Sequence, residues 1–296
     1  LQVLEQVGFV MENDEALDLL AGAGAAVDVA AHTARIPRPL VVEALSSVPR
    51  DIRLYDRDGR PASELTGHNL YGISGFDTMY VATGPDGERR PGRIRDVAEF
   101  ARLADALSNV AVVGPQVIPQ DVPERSSAAH AYRAILLNTT KPIFIIPPNG
   151  PSCRILVAMA RAVLGNEDLA RSPIFFTGAS PTSPLSWTKE QAEVLIESVR
   201  SGVPFAVTVG SIGGMTAPVT LAGHLVQHNA EFLSALVLCQ LLRRETPVFP
   251  FYAMCSADMR EGTATLGQPE ALLWRVAAGQ IASYYGLPAA TIGLCT

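Results

Sequence analysis

From residue 94 onward, short apolar runs alternate with longer stretches of helical periodicity. The apolar runs are rich in β-branched and aromatic residues and are 33, 31, 31 and 43 residues apart, since they begin at Val110, Ile143, Ile174, Phe205 and Val248. A strand, a helix and their two loops occupy roughly 30 residues in a right-handed parallel crossover. The pattern therefore predicts an α/β protein built on a parallel sheet.

The sheet is predicted to close into a (β/α)8 TIM barrel. Neither a GxGxxG nor a GxxxxGK(S/T) motif lies between the predicted strands, although a doubly wound nucleotide-binding sheet favours such motifs. With residues 79–82 as the first strand and residues 290–294 as a late one, the chain offers seven strands. We therefore expect an incomplete barrel over residues 61–296, with its last unit missing.

Residues 1–60 form a separate α-rich N-terminal region in this prediction. Helical spacing covers residues 12–21 and again residues 37–45. Residues 52–55 alternate like a short strand, and the turn-forming residues 56–59 follow them.

Composition excludes several classes of protein. The chain is 48% hydrophobic and 18% charged with a net charge of −6, which is typical of a globular protein and offers no basic patch for nucleic acid. No apolar run reaches the ~18 residues that a membrane span needs, and the start lacks a signal peptide. Four separated cysteines form no CxxC pair, so we expect a cytoplasmic protein with reduced thiols. A start without Met and an apolar end suggest a fragment.

Unusual residues stand where the predicted strands end, and in parallel barrels these ends face the active site. The candidate substrate-binding residues are therefore Phe76, Gln116, Asn149, Phe176, Ser211, Gly213, Phe251 and Tyr252. The rings in this set could hold an alkylated ammonium group, because a cation is attracted to the negative face of an aromatic ring. Tight βα turns and ordinary core packing are the alternatives.

Three further patterns are candidates for chemistry. His224, His228 and Glu231 share one helical face and could hold zinc or iron, or simply form a packed helix surface. The glycine-rich residues 210–215 could bind an anion through backbone N–H groups, or supply only the conformations of a long turn. Asp258 could form an ion pair with Arg260 at the edge of a pocket or neutralise a bound cation, or the two residues could be an ordinary surface loop pair.

Several longer motifs resemble the trimethylamine:corrinoid methyltransferase superfamily. They are residues 213–223 (GGMTAPVTLAG) with Gln227 and residues 229–231, and then residues 256–260 (SADMR), 267–270 (GQPE) and 285–288 (YGLP). Residues 4–8, 19–20, 24–25 and 36–37 are similar as well. The resemblance spans nearly the whole chain and implies a (β/α)8 barrel that moves a methyl group from a methylated amine to the cobalt of a separate corrinoid protein.

The resemblance implies a chain that binds no cofactor directly, because the corrinoid is carried by its partner. From the chemistry of the predicted strand ends, and not from the resemblance, we expect Glu231 and Asp258 to be the catalytic carboxylates that hold the cation. Trimethylamine enzymes of the superfamily carry pyrrolysine beyond the YGLP motif, a region this chain does not complete. Most members that the resemblance covers lack pyrrolysine and include glycine betaine enzymes, so the prediction favours a betaine-like or other N-methylated substrate. A metal-dependent hydrolase using His224, His228 and Glu231, or a non-catalytic binder of quaternary amines, remains as an alternative. Assembly into a homo-oligomer stays open.

Overall fold

The N-terminal region contains a small sheet as well as helices. The structure, a computed structural model, describes residues 1–66, 69–75, 77–84, 87–165 and 168–292, so the predicted site residue Phe76 lies outside the described residues. A π-helical turn (Val3–Val7) precedes β1 (Phe9–Met11), α1 (Asp14–Gly22), β2 (Ala26–Asp28), β3 (Thr33–Arg35) and α2 (Arg38–Ser47). β1 pairs antiparallel with β3, which pairs with β2. Strands of three residues are too short to show an alternating pattern in the sequence.

Two hairpins follow. β4 (Ile52–Tyr55) pairs antiparallel with β5 (Pro61–Leu65), and Asp56 closes the turn between them by accepting from the backbone N–H of Arg60 at 2.8 Å. β6 (Gly72–Ile73) precedes a second hairpin of β7 (Tyr80–Ala82) and β8 (Arg89–Pro91). The prediction of residues 79–82 as the first strand of the parallel sheet is therefore wrong. β6, which is only two residues long, takes that place.

The parallel sheet runs in chain order. Its strands after β6 are β9 (Val110–Val112), β10 (Ile143–Ile145), β11 (Phe175–Ala179), β13 (Phe205–Val209), β15 (Val248–Tyr252) and β18 (Ala290–Thr291). β6 pairs with β9, a bridge from Val113 to Ile143 joins β10, and the last five strands are adjacent in the order β10-β11-β13-β15-β18. Strands in chain order are typical of a barrel and not of a doubly wound sheet. The described residues form a curled parallel sheet and not the complete (β/α)8 barrel.

Helices connect these strands across the outer face. They are α3 (Ile94–Ala106), α4 (Ser127–Asn138), α5 (Gly150–Val163), α6 (Lys189–Arg200), α7 (Leu221–Leu242) and α8 (Pro269–Tyr285). Short strands lie in the connections: β12 (Ser186–Trp187), β14 (Ile212–Gly213), β16 (Cys255–Asp258) and β17 (Thr263–Thr265). β12 extends the N-terminal sheet beside β1, whereas β14, β16 and β17 form a small sheet of their own.

Side chains alternate between two faces of the parallel strands. One set, the interior cluster, packs around a shared centre and contains Ile52, Leu54, Val112, Phe144, Phe176, Ala206, Phe249 and Phe251. The intervening side chains, such as Phe175 and Val207, pack outward against the helices. Since one cluster draws side chains from β9, β10, β11, β13 and β15, the sheet curls around it.

The β4–β5 hairpin covers the N-terminal end of this interior. Ile52 and Leu54 belong to the interior cluster, and the N–H of Tyr55 donates to the carbonyl of Pro173, just before β11. The opposite edge, where the parallel strands end, remains for the site.

α7 is long and apolar enough to cross a bilayer by length and composition alone. However, 72% of its most apolar window is buried inside the protein. This burial is that of a core helix.

Candidate functional site

The C-terminal ends of the parallel strands surround a mouth above the interior cluster. Gly178 on β11 allows the strands to pack closely there, because a Cβ at this position would lie 3.2 Å from the Phe144 ring and 3.0 Å from the Thr208 hydroxyl. Thr208 lies opposite Phe251 in the pairing of β13 with β15. This layer of small and aromatic side chains is the uppermost part of the interior that the strands build.

Phenylalanine rings stack beneath the mouth. Phe144 lies face to face with Phe176, with ring centroids 4.6 Å apart, and with Phe251 at 5.5 Å. The structure therefore brings the predicted residues Phe176 and Phe251 together through Phe144. Tyr252, the next residue along β15, lies on the outer face, where its ring packs on His228 at 5.0 Å. Consecutive side chains of a strand point to opposite faces, so Phe251 and Tyr252 cannot both line the interior.

The hydroxyl of Thr208 is buried and has no hydrogen-bond partner among the described residues. A buried hydroxyl without a partner costs roughly 1–3 kcal/mol in protein mutational data. Sequence reasoning missed this residue, because a threonine inside an apolar strand is an ordinary β-former.

The predicted residues Gln116 and Asn149 follow β9 and β10. Gln116 lies on the mouth edge, with its side-chain amide against the backbone of Gly75. Asn149 instead caps α5, since its side-chain oxygen accepts from the N–H of Ser152 at 3.0 Å. The side-chain oxygen of Asn149 is therefore used in the fold, and asparagine is a residue that helix N-caps favour.

The glycine-rich loop satisfies its backbone internally. The N–H of Ile212 donates to the Thr216 hydroxyl at 2.9 Å, and the N–H of Gly214 donates to the carbonyl of Ala217 at 2.9 Å. Gly214 has a φ of 87°, which favours glycine. These observations support the conformational alternative for the loop over the anion nest.

Ser211 and Gly213 contact the helices behind the loop. The Ser211 hydroxyl is hydrogen-bonded to Nε2 of His224 at 2.6 Å, and both residues are fully buried. Gly213 lies under Trp274 of α8, whose indole N–H donates to the carbonyl of Leu221 at 3.1 Å. The predicted residues thus fasten the loop to α7 and α8.

Replacing Gly213 with alanine should lower the free energy of unfolding by about 1–3 kcal/mol, the usual cost of overpacking. The new Cβ would lie 2.6 Å from Cη2 of the buried Trp274, and the indole hydrogen bond keeps that ring in place. Urea unfolding measures the loss. Gly279→Ala on the same helix is the control, since nothing lies within 4 Å of its Cβ position. It should stabilise by about 0.5–1 kcal/mol, and an equal loss in both variants would contradict the packing argument.

The two histidines of α7 are buried and neutral. Burial lowers the pKa of His224 to about 4 and that of His228 to about 3. Nδ1 of His224 and Nε2 of His228 lack hydrogen-bond partners among the described residues. In that part of the chain, no three His, Cys, Asp or Glu side chains are grouped to hold a metal ion. The metal-dependent hydrolase therefore lacks its ligand set in the described residues.

Glu231 ties α7 to the loop after β11. Its carboxylate accepts from the Ser183 hydroxyl at 2.8 Å, the backbone N–H of Leu185 at 2.9 Å and the Gln227 amide at 3.0 Å. Burial raises the pKa of this carboxyl, and the three donors act against that shift. These three contacts hold the carboxylate between α7 and the loop after β11. The catalytic role of Glu231 stays a prediction.

Asp258 closes the turn between β16 and β17. Its carboxylate accepts from the N–H groups of Arg260 at 2.8 Å and Glu261 at 3.3 Å. The predicted ion pair with Arg260 is therefore replaced by a contact to the Arg260 backbone. The two carboxylates predicted to be catalytic, Glu231 and Asp258, thus belong to two separate hydrogen-bond groups.

A carboxylate that the sequence analysis missed lies at the mouth. Asp77 follows β6, and its N–H donates to the carbonyl of Pro115 at 2.9 Å, in the segment that also contains Gln116. The surrounding protein raises the pKa of its carboxyl to about 6 by desolvation. Once β6 is known to be the first parallel strand, a carboxylate after its end is a site signal.

Comparison with known proteins identifies similar sequences along the full length of the chain. Residues 1–296 match the family described as trimethylamine methyltransferase (MTTB). Trimethylamine methyltransferase MttB of Desulfitobacterium hafniense (strain DSM 10664 / DCB-2) is 34% identical over 294 residues, which cover 99% of this chain and 59% of that protein. A glycine betaine methyltransferase of Desulfitobacterium hafniense (strain Y51) is 26% identical and covers 99% of this chain and 61% of its own length. The chain thus spans about three fifths of the length of these relatives.

Solved structures show the same fold. The crystal structure of the Methanosarcina barkeri monomethylamine methyltransferase (MtmB) superposes with a TM-score of 0.60 at 11% identity, over 97% of this chain and 62% of that one. At this identity the likeness concerns the fold alone.

Proposed function

Since the chain belongs to the trimethylamine methyltransferase family, we propose that the protein moves a methyl group from a methylated amine to Co(I) of a corrinoid protein. The donor is trimethylamine, glycine betaine or a similar tertiary or quaternary amine. The corrinoid is carried by the partner protein and acts as the second substrate. The buried, unpaired thiols of Cys153, Cys239 and Cys255 suit a reducing cytoplasm, where we place the reaction.

The stacked rings beneath the mouth support this proposal. Phe144, Phe176 and Phe251 face a shared interior at the strand ends. A methylated ammonium group has few or no N–H donors, so rings and a nearby negative charge are what a protein can offer it. Such a contact contributes up to about 2 kcal/mol when it is desolvated.

The proposed reaction needs little acid–base chemistry from the chain. Co(I) supplies the electron pair that forms the new bond to the methyl carbon, and the electrons of the breaking N–C bond stay on nitrogen. A quaternary ammonium donor then leaves as a neutral tertiary amine, without a proton transfer. A tertiary amine donor reacts in its protonated form, so that it leaves as a neutral secondary amine. The residues of the mouth have to bind the cation, exclude water and orient its N–CH3 bond.

A cobalt assay tests the proposal. Full-length protein, a Co(I) corrinoid protein and either glycine betaine or trimethylamine should give methyl-Co(III), followed by its absorbance. Binding of either amine in calorimetry without any methylation of cobalt would instead support the non-catalytic binder.

Phe251→Leu should raise the KM for the amine about tenfold, because leucine fills the interior but offers no ring face to the cation. Phe175→Leu is the matched control, since Phe175 is also buried on a parallel strand but packs outward against Tyr132. Both variants should lose similar stability, and only the inner one should change the KM. Equal KM values for the two variants would show that the interior rings do not contact the amine.

A further inference from the structure

Asp77 is fixed on the rim of the mouth by backbone contacts. The N–H of Ser74 donates to the carbonyl of Val112 at 3.0 Å, and the Ser74 hydroxyl accepts from the N–H of Gly114 at 2.8 Å. The N–H groups of Asp77 and Thr78 then donate to the carbonyls of Pro115 and Gln116 at 2.9 and 3.2 Å. The described residues of segment 74–78 are therefore held along the loop after β9, and Asp77 has a defined position.

The backbone of Asp77 adopts a rare conformation. Its φ is 64°, in the left-handed region that costs a non-glycine residue about 1 kcal/mol, with Asp and Asn tolerating it best. Such conformations persist where the surrounding contacts impose them, and they cluster at ligand-binding positions.

The Asp77 carboxylate has no partner among the residues that the structure describes. It accepts no hydrogen bond and forms no ion pair with any residue in the described ranges. Asp56, Asp96 and Asp258 differ, because each accepts from a backbone N–H nearby. An aspartate that is held so firmly through its backbone but has an unused carboxylate is available to a ligand.

The Asp77 carboxylate is exposed but partly desolvated. Its side chain is exposed to solvent, yet the surrounding protein desolvates the carboxyl enough to raise its pKa. Water therefore reaches a carboxylate that protein surrounds at longer range. Gln116 lies beside it, with a partly accessible amide whose Nε2 would be 2.5 Å from a Cβ at Gly75. Coulomb attraction at such a partly desolvated carboxylate is several-fold stronger than in open water.

We propose that Asp77, with Gln116 beside it, forms an anionic subsite on the rim that binds the positively charged nitrogen of the methylated substrate. This inference rests on the proposed function and specifies its substrate class: the site selects a cation, and not merely a branched apolar group. The carboxylate holds the charge from the rim while the rings of the interior face the methyl groups. Asp77 would thereby aim an N–CH3 bond without taking part in the bond changes.

Glycine betaine and 3,3-dimethylbutanoate provide the test, because they share shape and carboxylate and differ in the charge at the branched centre. In calorimetry with the full-length protein, the wild type should bind glycine betaine at least ten times more tightly than 3,3-dimethylbutanoate. Asp77→Asn should weaken glycine betaine binding about tenfold and should not weaken binding of 3,3-dimethylbutanoate, which is an anion. Asparagine keeps the left-handed backbone, so the substitution removes charge alone. Asp18→Asn, at an exposed position on α1, should change neither affinity.

Two results would overturn the inference. One is that Asp77→Asn binds glycine betaine as the Asp18→Asn control does, and the other is that the wild type binds 3,3-dimethylbutanoate and glycine betaine equally well. The cobalt assay on the wild type judges the proposed function separately. If the wild type methylates cobalt and Asp77→Asn binds glycine betaine as tightly as the wild type, the proposed function stands and the anionic subsite is rejected.

Discussion

Replacing Glu231 with alanine is expected to lower the free energy of unfolding by about 3 kcal/mol. The change leaves the Ser183 hydroxyl and the Leu185 N–H without an acceptor in a partly buried place. The Gln227 amide also loses an acceptor, but it keeps its hydrogen bond to the carbonyl of Thr216 at 2.9 Å. The two side chains can turn toward other partners, but the backbone N–H of Leu185 cannot. Leu185 also has a φ of 51°, a conformation that a leucine rarely adopts without support. The loop after β11 should therefore loosen along with the loss of stability.

Chemical unfolding of the wild type, Glu231→Ala and Glu231→Gln measures this effect. Glutamine keeps one acceptor oxygen, so its loss should be about half as large. Glu12→Ala serves as the control, because Glu12 is exposed and its carboxylate has no described partner. A similar loss for Glu12→Ala and Glu231→Ala would show that the three contacts contribute nothing measurable.

The same variants separate positioning from catalysis. If Glu231 only holds the loop, Glu231→Gln should retain most of the cobalt-methylating activity and change mainly the KM. A loss of kcat by a factor of ~100 or more, the range seen when one electrostatic contact to the reacting group is removed, would instead support the catalytic role predicted from sequence, in which Glu231 holds the cation.

The parallel sheet could be predicted because its spacing follows from chain geometry. Each crossover needs a strand, a helix and two loops, and the observed starts of β9, β10, β11, β13 and β15 lie at or within one residue of the predicted ones. β6 escaped prediction because two residues carry no periodicity. Residues 79–82 resemble a strand and are one, but β7 pairs with β8 in a hairpin. Local pattern determines the element type, whereas the pairing partner depends on contacts far along the chain.

The site was only partly predictable for the same reason. Phe176 and Phe251 could be proposed from strand ends, and the structure places both in the interior cluster. The contacts of Glu231 could not be foreseen, because Ser183 and Leu185 lie 48 and 46 residues away along the chain. Nor does a sequence reveal that Gly213 lies under Trp274. The sequence shows which polar groups a motif contains. Whether such a group stabilises the fold or is available to bind a ligand depends on its hydrogen-bond partners, which the sequence does not show.

Stability should also fall by about 3 kcal/mol when the pH drops from about 7 to about 5, because of the buried histidines of α7. Burial lowers the pKa of His224 to about 4 and of His228 to about 3, whereas both titrate near 6.5 in an unfolded chain. Below pH ~6.5 the histidines are protonated in the unfolded state but not in the folded state. Stability is therefore lost as the pH falls toward the pKa values of the folded protein. Glu231 and Asp77 act in the opposite sense, since their folded pKa values are raised, and they offset part of the loss.

Urea unfolding at the two pH values, at constant ionic strength, tests this linkage in the wild type, His228→Leu and the exposed control His130→Leu. His228 contacts the Tyr252 ring, and Nε2 of its own ring has no described partner. Leucine removes the titrating group together with the backbone hydrogen bonds of the imidazole to Val209 and to His228 itself, a loss of stability that is the same at both pH values. The pH-dependent loss should shrink by about half in His228→Leu, since one of two groups of similar shift is gone, and should stay at the wild-type value in His130→Leu. If the loss in His228→Leu were as large as in the wild type, His228 of the wild type would protonate inside the folded protein. The contact between His228 on α7 and Tyr252 on β15 would then have to open in acid, next to Phe251.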